Sequence, residues 1–216
     1  MKEISKFIQE GLKITSKTKV NENPKYNYYP KTKEELKDLL KQLLEERGNE
    51  GDFNDIDTSK IKDMSDLFYY KNKFNGDISN WDVSNVIDME FMFYGCTSFN
   101  QPLNNWDVSN VTNMSYMFCV CESFNQPLDN WDVSNVTNMS YMFKGCYPFN
   151  QDISNWNVSN VEDMRCMFEY SKFNGDLSKW NVSNVTNMFE MFYSSLFDND
   201  ISKWNIPQAQ NISWLF

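Results

Sequence analysis

The chain has 216 residues, with 20 Lys and Arg against 30 Asp and Glu, a formal charge of −10 and no histidine. Its length favours one domain with at most a small appendage. The absence of histidine excludes His-dependent triads, zincins and non-haem iron triads, and net acidity argues against a nucleic-acid binder, which needs a basic face.

Residues 1–30 read as a leader. Ile4, Phe7, Ile8 and Leu12 fall on one helical face, interrupted by Gly11, and Lys13, Lys17, Lys19 and Lys25 line a polar stretch up to Tyr26-Asn27-Tyr28-Tyr29-Pro30. Two readings stand open: the segment wraps back on the acidic remainder of the chain, or it is an anchor that docks a partner or a larger assembly. Met1–Lys6 leads into Phe7-Ile8-Gln9-Glu10, which is too polar for a signal-peptide core, and no run of about 18 apolar residues predicts a membrane span. The expected location is therefore the cytoplasm or a phage particle rather than the exterior.

Residues 31–50 read as a capping helix. Thr32-Lys33-Glu34-Glu35 is a capping box, Leu36, Leu39, Leu40, Leu43 and Leu44 form one stripe, and Gly48 is the stop. A repeat stack exposes an apolar end that needs such a cap. A partner-binding or coiled-coil helix is the sharper alternative.

From residue 51 onward the chain repeats. Trp81, Trp106, Trp131, Trp156, Trp180 and Trp204 are spaced by 25, 25, 25, 24 and 24 residues. Each opens a phrase read most cleanly as Trp106-Asp107-Val108-Ser109-Asn110-Val111, followed by Asn113-Met114-Ser115-Tyr116-Met117-Phe118 and later Phe124-Asn125. Ile56, Met64 and Leu67-Phe68 keep the register ahead of it, and Ile212 and Leu215-Phe216 keep it behind. Each repeat buries too little alone, so neighbours must share one core. Leu103, Trp106, Val108, Val111, Met114, Met117, Phe118 and Phe124 are its columns. Met114, Met117 and Phe118 suit one helical turn, with Asn113, Asp88 or Asp163 as N-cap. The stretch from Phe99 to Val108 looks extended. The expected fold is thus an α/β solenoid, leucine-rich-repeat-like, of seven coils of 24–25 residues, each with a short strand and a short helical turn, behind an N-terminal helical cap.

The phrase from Met92 to Met114 resembles a 25-residue bacterial surface-protein repeat abundant in mycoplasmas and allied to BspA-like leucine-rich repeats. The resemblance covers roughly Asp52–Phe216. It implies protein recognition or adhesion, and it brings no shared catalytic residues.

Candidate chemistry is sparse. Asp57, Asp82, Asp107 and Asp132 form a column that suggests either calcium or structural hydrogen bonding. Its continuation as Asn157, Asn181 and Asn205 favours hydrogen bonding, as do the neighbouring Ser84 and Asn85 columns. Cys96, Cys121 and Cys146 share a column too, and with Cys119 and Cys166 they read as buried free thiols. Bridges between Cys96 and Cys121, or Cys121 and Cys146, are the alternative. No zinc set, other metal site or cofactor is expected. The position before the second Met varies as Asp66, Phe91, Tyr116, Tyr141, Cys166, Glu190 and Trp214. Phe91, Tyr116 and Tyr141 would form an exposed aromatic strip suited to binding protein, unless neighbouring turns partly bury it. Asn80, Asn105 and Asn130 mark a second candidate, the polar face before each Trp. Trp214, Leu215 and Phe216 stop in mid-repeat, which predicts an end contact, made either with the last coil or with another chain.

The functional expectation is a non-enzymatic protein–protein interaction module of leucine-rich-repeat type, with an unidentified protein partner. The alternative is a structural subunit of a larger assembly, a phage virion or cell-envelope complex, attached through residues 1–30 or through the last coil. No nucleophile–base pair or phosphate loop supports an enzyme.

Overall fold

The computed structural model describes residues 25–206 and 215. Helix α1, Lys33–Arg47, starts where Thr32 Oγ1 accepts the Glu35 backbone N–H at 3.2 Å and Glu35 accepts that of Lys31 at 2.7 Å. It ends at Gly48, whose φ of 74° only glycine adopts without cost. Leu36, Leu40 and Leu43 are buried, and Leu39 and Leu44 pack partly against the core. Arg47 clamps the far end of α1 to the first coil through Asp55, at 2.7 and 3.0 Å, and the Asp52 carbonyl at 2.7 Å. Lys33 holds the near end through Asp63 and Ser65.

Beyond α1 the chain winds into stacked coils at the expected 24–25-residue register, but the expected α/β, leucine-rich-repeat-like solenoid is not what forms. Among the described residues α1 is the only helix, and no sheet is present. The only parallel contacts of strand type are isolated bridges. One column of them, Asp63–Asp88–Asn113–Asn138–Asp163–Asn187, runs through the stack. The hydrogen bonds explain why. The backbone N–H groups of Met114, Tyr116, Phe118 and Val120 donate forward to the next coil, to Asn138, Ser140, Met142 and Lys144, at 2.8–3.0 Å. Those of Met117, Cys119 and Cys121 turn back three residues, to Met114, Tyr116 and Phe118, at 3.1–3.2 Å. A helix would send every one of them four residues back. Tyr116 and Val120 also have φ of 58° and 59°, outside any right-handed helix. The apolar i, i+3, i+4 spacing is met by consecutive β-turns instead.

The supposed helix N-caps are therefore Asx turns: Asp88, Asn113 and Asp163 Oδ1 accept the N–H two residues on, at 2.8–3.1 Å. Two further Asx turns recur, as at Asp107 with Ser109 (3.1 Å) and Asp152 with Ser154 (2.9 Å). The stretch expected to be a strand closes on a turn as well, where the Trp106 N–H donates to the Leu103 carbonyl at 3.0 Å.

The core is a set of columns. Phe68, Phe93, Phe118, Phe143, Phe168 and Phe192 stack ring on ring at 5.5–5.8 Å. Phe74, Phe99, Phe124, Phe149, Phe173 and Phe197 form a second stack, each 4.0–4.2 Å from its partner in the first. Such pairs contribute about 0.5–1.5 kcal/mol each beyond the area they bury. The buried Trp column adds a polar staple: each indole N–H donates to a carbonyl one coil earlier, as Trp106 does to Ile78 at 3.2 Å.

Candidate interaction face

In a stack whose core columns hardly vary, chain-specific chemistry collects where columns do vary. The turns after each first Met carry three such columns on one face. The first is Asp66, Phe91, Tyr116, Tyr141, Cys166 and Glu190. The second is Tyr69, Tyr94, Cys119, Lys144, Glu169 and Tyr193, and the third is Tyr70, Gly95, Val120, Gly145, Tyr170 and Ser194. The first and third columns have positive φ throughout, between 53° and 71°. Sequence reasoning considered only the first. Reading every position against the 25-residue period exposes the other two.

Phe91, Tyr116 and Tyr141 lie half-buried. Their rings stack at 4.5 and 4.3 Å with interplanar angles of 18° and 8°, so exposed strip and partial burial coexist. Tyr69, Tyr70 and Tyr94 widen the aromatic surface, with centroids 4.7–5.2 Å apart. Tyr69 and Tyr70 are 45% and 61% exposed, so this end of the face meets solvent. Burial raises the hydroxyl pKa of Tyr116 and Tyr141 above the ordinary value, and at Tyr141 the Cys166 thiol adds to the rise.

Past Tyr141 the face turns polar. Lys144 lies over the Tyr141 ring at 5.4 Å, and its Nζ is 2.7 Å from Glu169 Oε2, a contact of charge and distance outside hydrogen-bond geometry. Burial alone would lower the Lys144 ammonium, yet the Glu169 carboxylate outweighs it and raises it. Cys166 Sγ and carboxylate oxygens of Glu169 and Glu190 fall within 4.8 Å of one another, a trio of the kind that can hold a cation. The Lys144 ammonium already supplies the positive charge there. Burial, then Glu169, push the Cys166 thiol up to about 12.

Asn80, Asn105 and Asn130 lie on an exposed surface where the Asn80 and Asn130 N–H groups donate to Asn54 and Asn104 rather than to the aromatic columns. That surface is turn rather than strand. The Asn85, Asn110, Asn135, Asn160 and Asn184 column is scaffold: each Nδ2 donates to a Ser carbonyl one coil earlier at 2.7–3.0 Å. Asp57, Asp82, Asp107 and Asp132 each accept a backbone N–H at 3.0–3.1 Å. All five cysteines are free and buried, with Cys96, Cys121 and Cys146 donating to carbonyls of the preceding coil at 3.0–3.2 Å. Leu215 continues the second Met column, where its carbonyl accepts the Phe192 N–H at 2.8 Å. Trp214, Phe216 and the proposed anchor residues Ile4, Phe7, Ile8 and Leu12 lie outside the described residues. No described helix is long and apolar enough to cross a membrane.

The family described as "Mycoplasma protein of unknown function, DUF285" matches residues 37–146 and again residues 121–216. Together these span well over half of the chain, which therefore belongs to that family. The curated proteins and the solved structures hold no match to it.

Proposed function

We propose that the chain is a non-enzymatic recognition module that binds another protein through the face bearing Tyr69, Tyr70, Phe91, Tyr94, Tyr116 and Tyr141. One observation carries this reading. The left-handed backbone at these turns favours glycine, and a side chain there costs on the order of 1 kcal/mol. Glycine nonetheless occupies only Gly95 and Gly145 of that face, while Tyr70, Phe91, Tyr116, Tyr141 and Tyr170 accept the strained conformation. Large rings held against the backbone preference, half-exposed and stacked, are suited to contact. The net acidity and the likeness of the repeat phrase to bacterial surface-protein repeats support protein rather than nucleic acid as the partner.

The test is capture from lysate of the source cells by immobilised wild-type chain and by a Tyr116→Ala/Tyr141→Ala variant whose circular dichroism matches wild type. Loss of a specific co-purifying protein is expected. Unchanged capture by the variant would move the binding site elsewhere.

A further inference from the structure

The geometry points to a definite occupant for this face: we propose an extended polypeptide with an apolar centre and a basic residue on each side of it. The inference rests on the reading of the aromatic columns as a binding face. The column Asp66–Phe91–Tyr116–Tyr141–Cys166–Glu190 crosses six consecutive coils, with three stacked rings in its interior and a carboxylate at each end.

The two ends have the same charge balance. At the first, the Lys33 ammonium is shared between Asp63 at 3.1 Å and Asp66 at 4.0 Å. At the other, Lys144 sits 2.7 Å from Glu169, and the Glu190 carboxylate lies within 4.8 Å of that of Glu169. Lys33 is shared by two carboxylates at the first end, and at the other Lys144 pairs with Glu169 while Glu190 lies beyond its ion pair, so acidic groups outnumber the ammonium on either side of the rings. Arg165 is paired with Asp163 at 2.7 Å. Residues 25–206 carry 15 Lys and Arg against 27 Asp and Glu, a net of −12, so the wider field also draws a positive partner.

The molecule shows on itself how a lysine lies on such rings. Lys144 covers Tyr141 at 5.4 Å, and Lys172 covers Tyr147 at 4.3 Å. Tyr69 and Tyr70, beside Asp66, offer exposed rings to a partner's lysine in the same way. Length follows from the stacking. Coils about 4.8 Å apart place Asp66 and Glu190 roughly 24 Å from each other, and an extended chain rising about 3.3 Å per residue covers that in about eight residues, or about nine when both ends must face the same side.

The test uses the full chain and the nonapeptide Lys-Ser-Leu-Ser-Leu-Ser-Leu-Ser-Lys, whose lysines and leucines share one side when extended, beside the same peptide with glutamate at both ends. Titration calorimetry at low salt should show the lysine peptide binding at least tenfold tighter. Asp66→Asn/Glu190→Gln should shrink that ratio below threefold, and asparagine tolerates the left-handed backbone at position 66. Equal affinities, no binding of the lysine peptide, or a ratio that survives the double variant would each overturn the inference. So would self-association of the chain that competes with the peptide, which would assign the face to a second copy. Tyr116→Ala/Tyr141→Ala separates the two levels. If it weakens both peptides equally while wild type does not discriminate between them, the aromatic face stands and the charge inference falls. If it changes neither peptide's binding, both fall.

Discussion

The indole Nε1 of Trp131 donates to the carbonyl of Leu103, 28 residues earlier, at 2.9 Å, and both groups are buried. Trp131→Phe keeps a ring in the column but removes one of the two hydrogen bonds that carbonyl accepts, the Trp106 N–H supplying the other at 3.0 Å, a loss of about 1 kcal/mol. Trp204 makes the same bond to Leu177 in a part-buried setting. Trp204→Phe should therefore cost less, and the comparison is read from urea midpoints.

Gly95 and Gly145 share a left-handed backbone, with φ of 71° and 65°, but not a neighbourhood. A Cβ on Gly95 would sit 2.8 Å from the Tyr70 ring, whereas on Gly145 it would meet nothing nearer than 3.7 Å. Gly145→Ala should cost about 1 kcal/mol from the backbone alone. Gly95→Ala should cost about 1 kcal/mol more and displace Tyr70. Thermal melts give the difference, and tyrosine fluorescence reports the displacement.

Much of this architecture is legible from spacing. Trp81 to Trp204 set the coil length, and Thr32, Glu35 and Gly48 bound α1 through capping chemistry that acts within a few residues. The backbone of each coil is not legible in that way. Met114, Met117 and Phe118 have the same spacing in a helical turn and in consecutive β-turns. What separates the two is a hydrogen-bond partner on the next coil, such as Asn138 for Met114. Glycine at the left-handed positions would have signalled the difference, but tyrosine and phenylalanine occupy most of them. Of the candidate site, Phe91, Tyr116 and Tyr141 were visible as one varying column. Lys144, Glu169 and Tyr69 are less legible, because their column after the Met-Phe pair mixes aromatic, thiol and charged residues and shows no single chemistry.

Burial pushes the thiols of Cys96 and Cys119 up to about 12 and those of Cys121 and Cys146 well above the ordinary value. At pH 8 a thiol of pKa about 12 is ionised in roughly one molecule in ten thousand. Ellman's reagent at pH 8 should leave the folded chain essentially unmodified and titrate five thiols after denaturation in urea. Fewer than five would reveal a disulfide.

The Arg47 hydrogen bonds hold the Asp55 carboxyl below its ordinary value of 3.8. A carboxyl lowered by folding adds stability above its unfolded value, and that stability fades as pH falls through the folded value. Asp55→Asn should therefore loosen α1 at pH 7 by about 1 kcal/mol. It should be neutral once pH drops below the folded value. Helical circular dichroism during urea titration at the two pH values measures this.

Lys144 is the counter-charge of a carboxylate that is almost fully buried. Lys144→Met strands Glu169 and should cost about 2 kcal/mol, discounted because Lys144 itself remains about one-third exposed. Adding Glu169→Leu should bring the midpoint back to within about 1 kcal/mol of wild type. A double variant no better than the single would mean that the lysine acts through its stem on Tyr141 rather than through its charge.

Nearly every bond between coils joins residues 23 to 28 positions apart, and none among those between described coils depends on how many coils there are. The stretches 101–125 and 126–150 differ at only a handful of positions, including Asn104 against Asp129 and Val120 against Gly145. Removing or duplicating one such stretch would leave each remaining coil facing a suitable neighbour. A gene with near-identical tandem segments can thus change the reach of its product in steps of one coil by slippage, without inventing a new fold. Each step would also shorten or lengthen the row of rings along which a partner is measured.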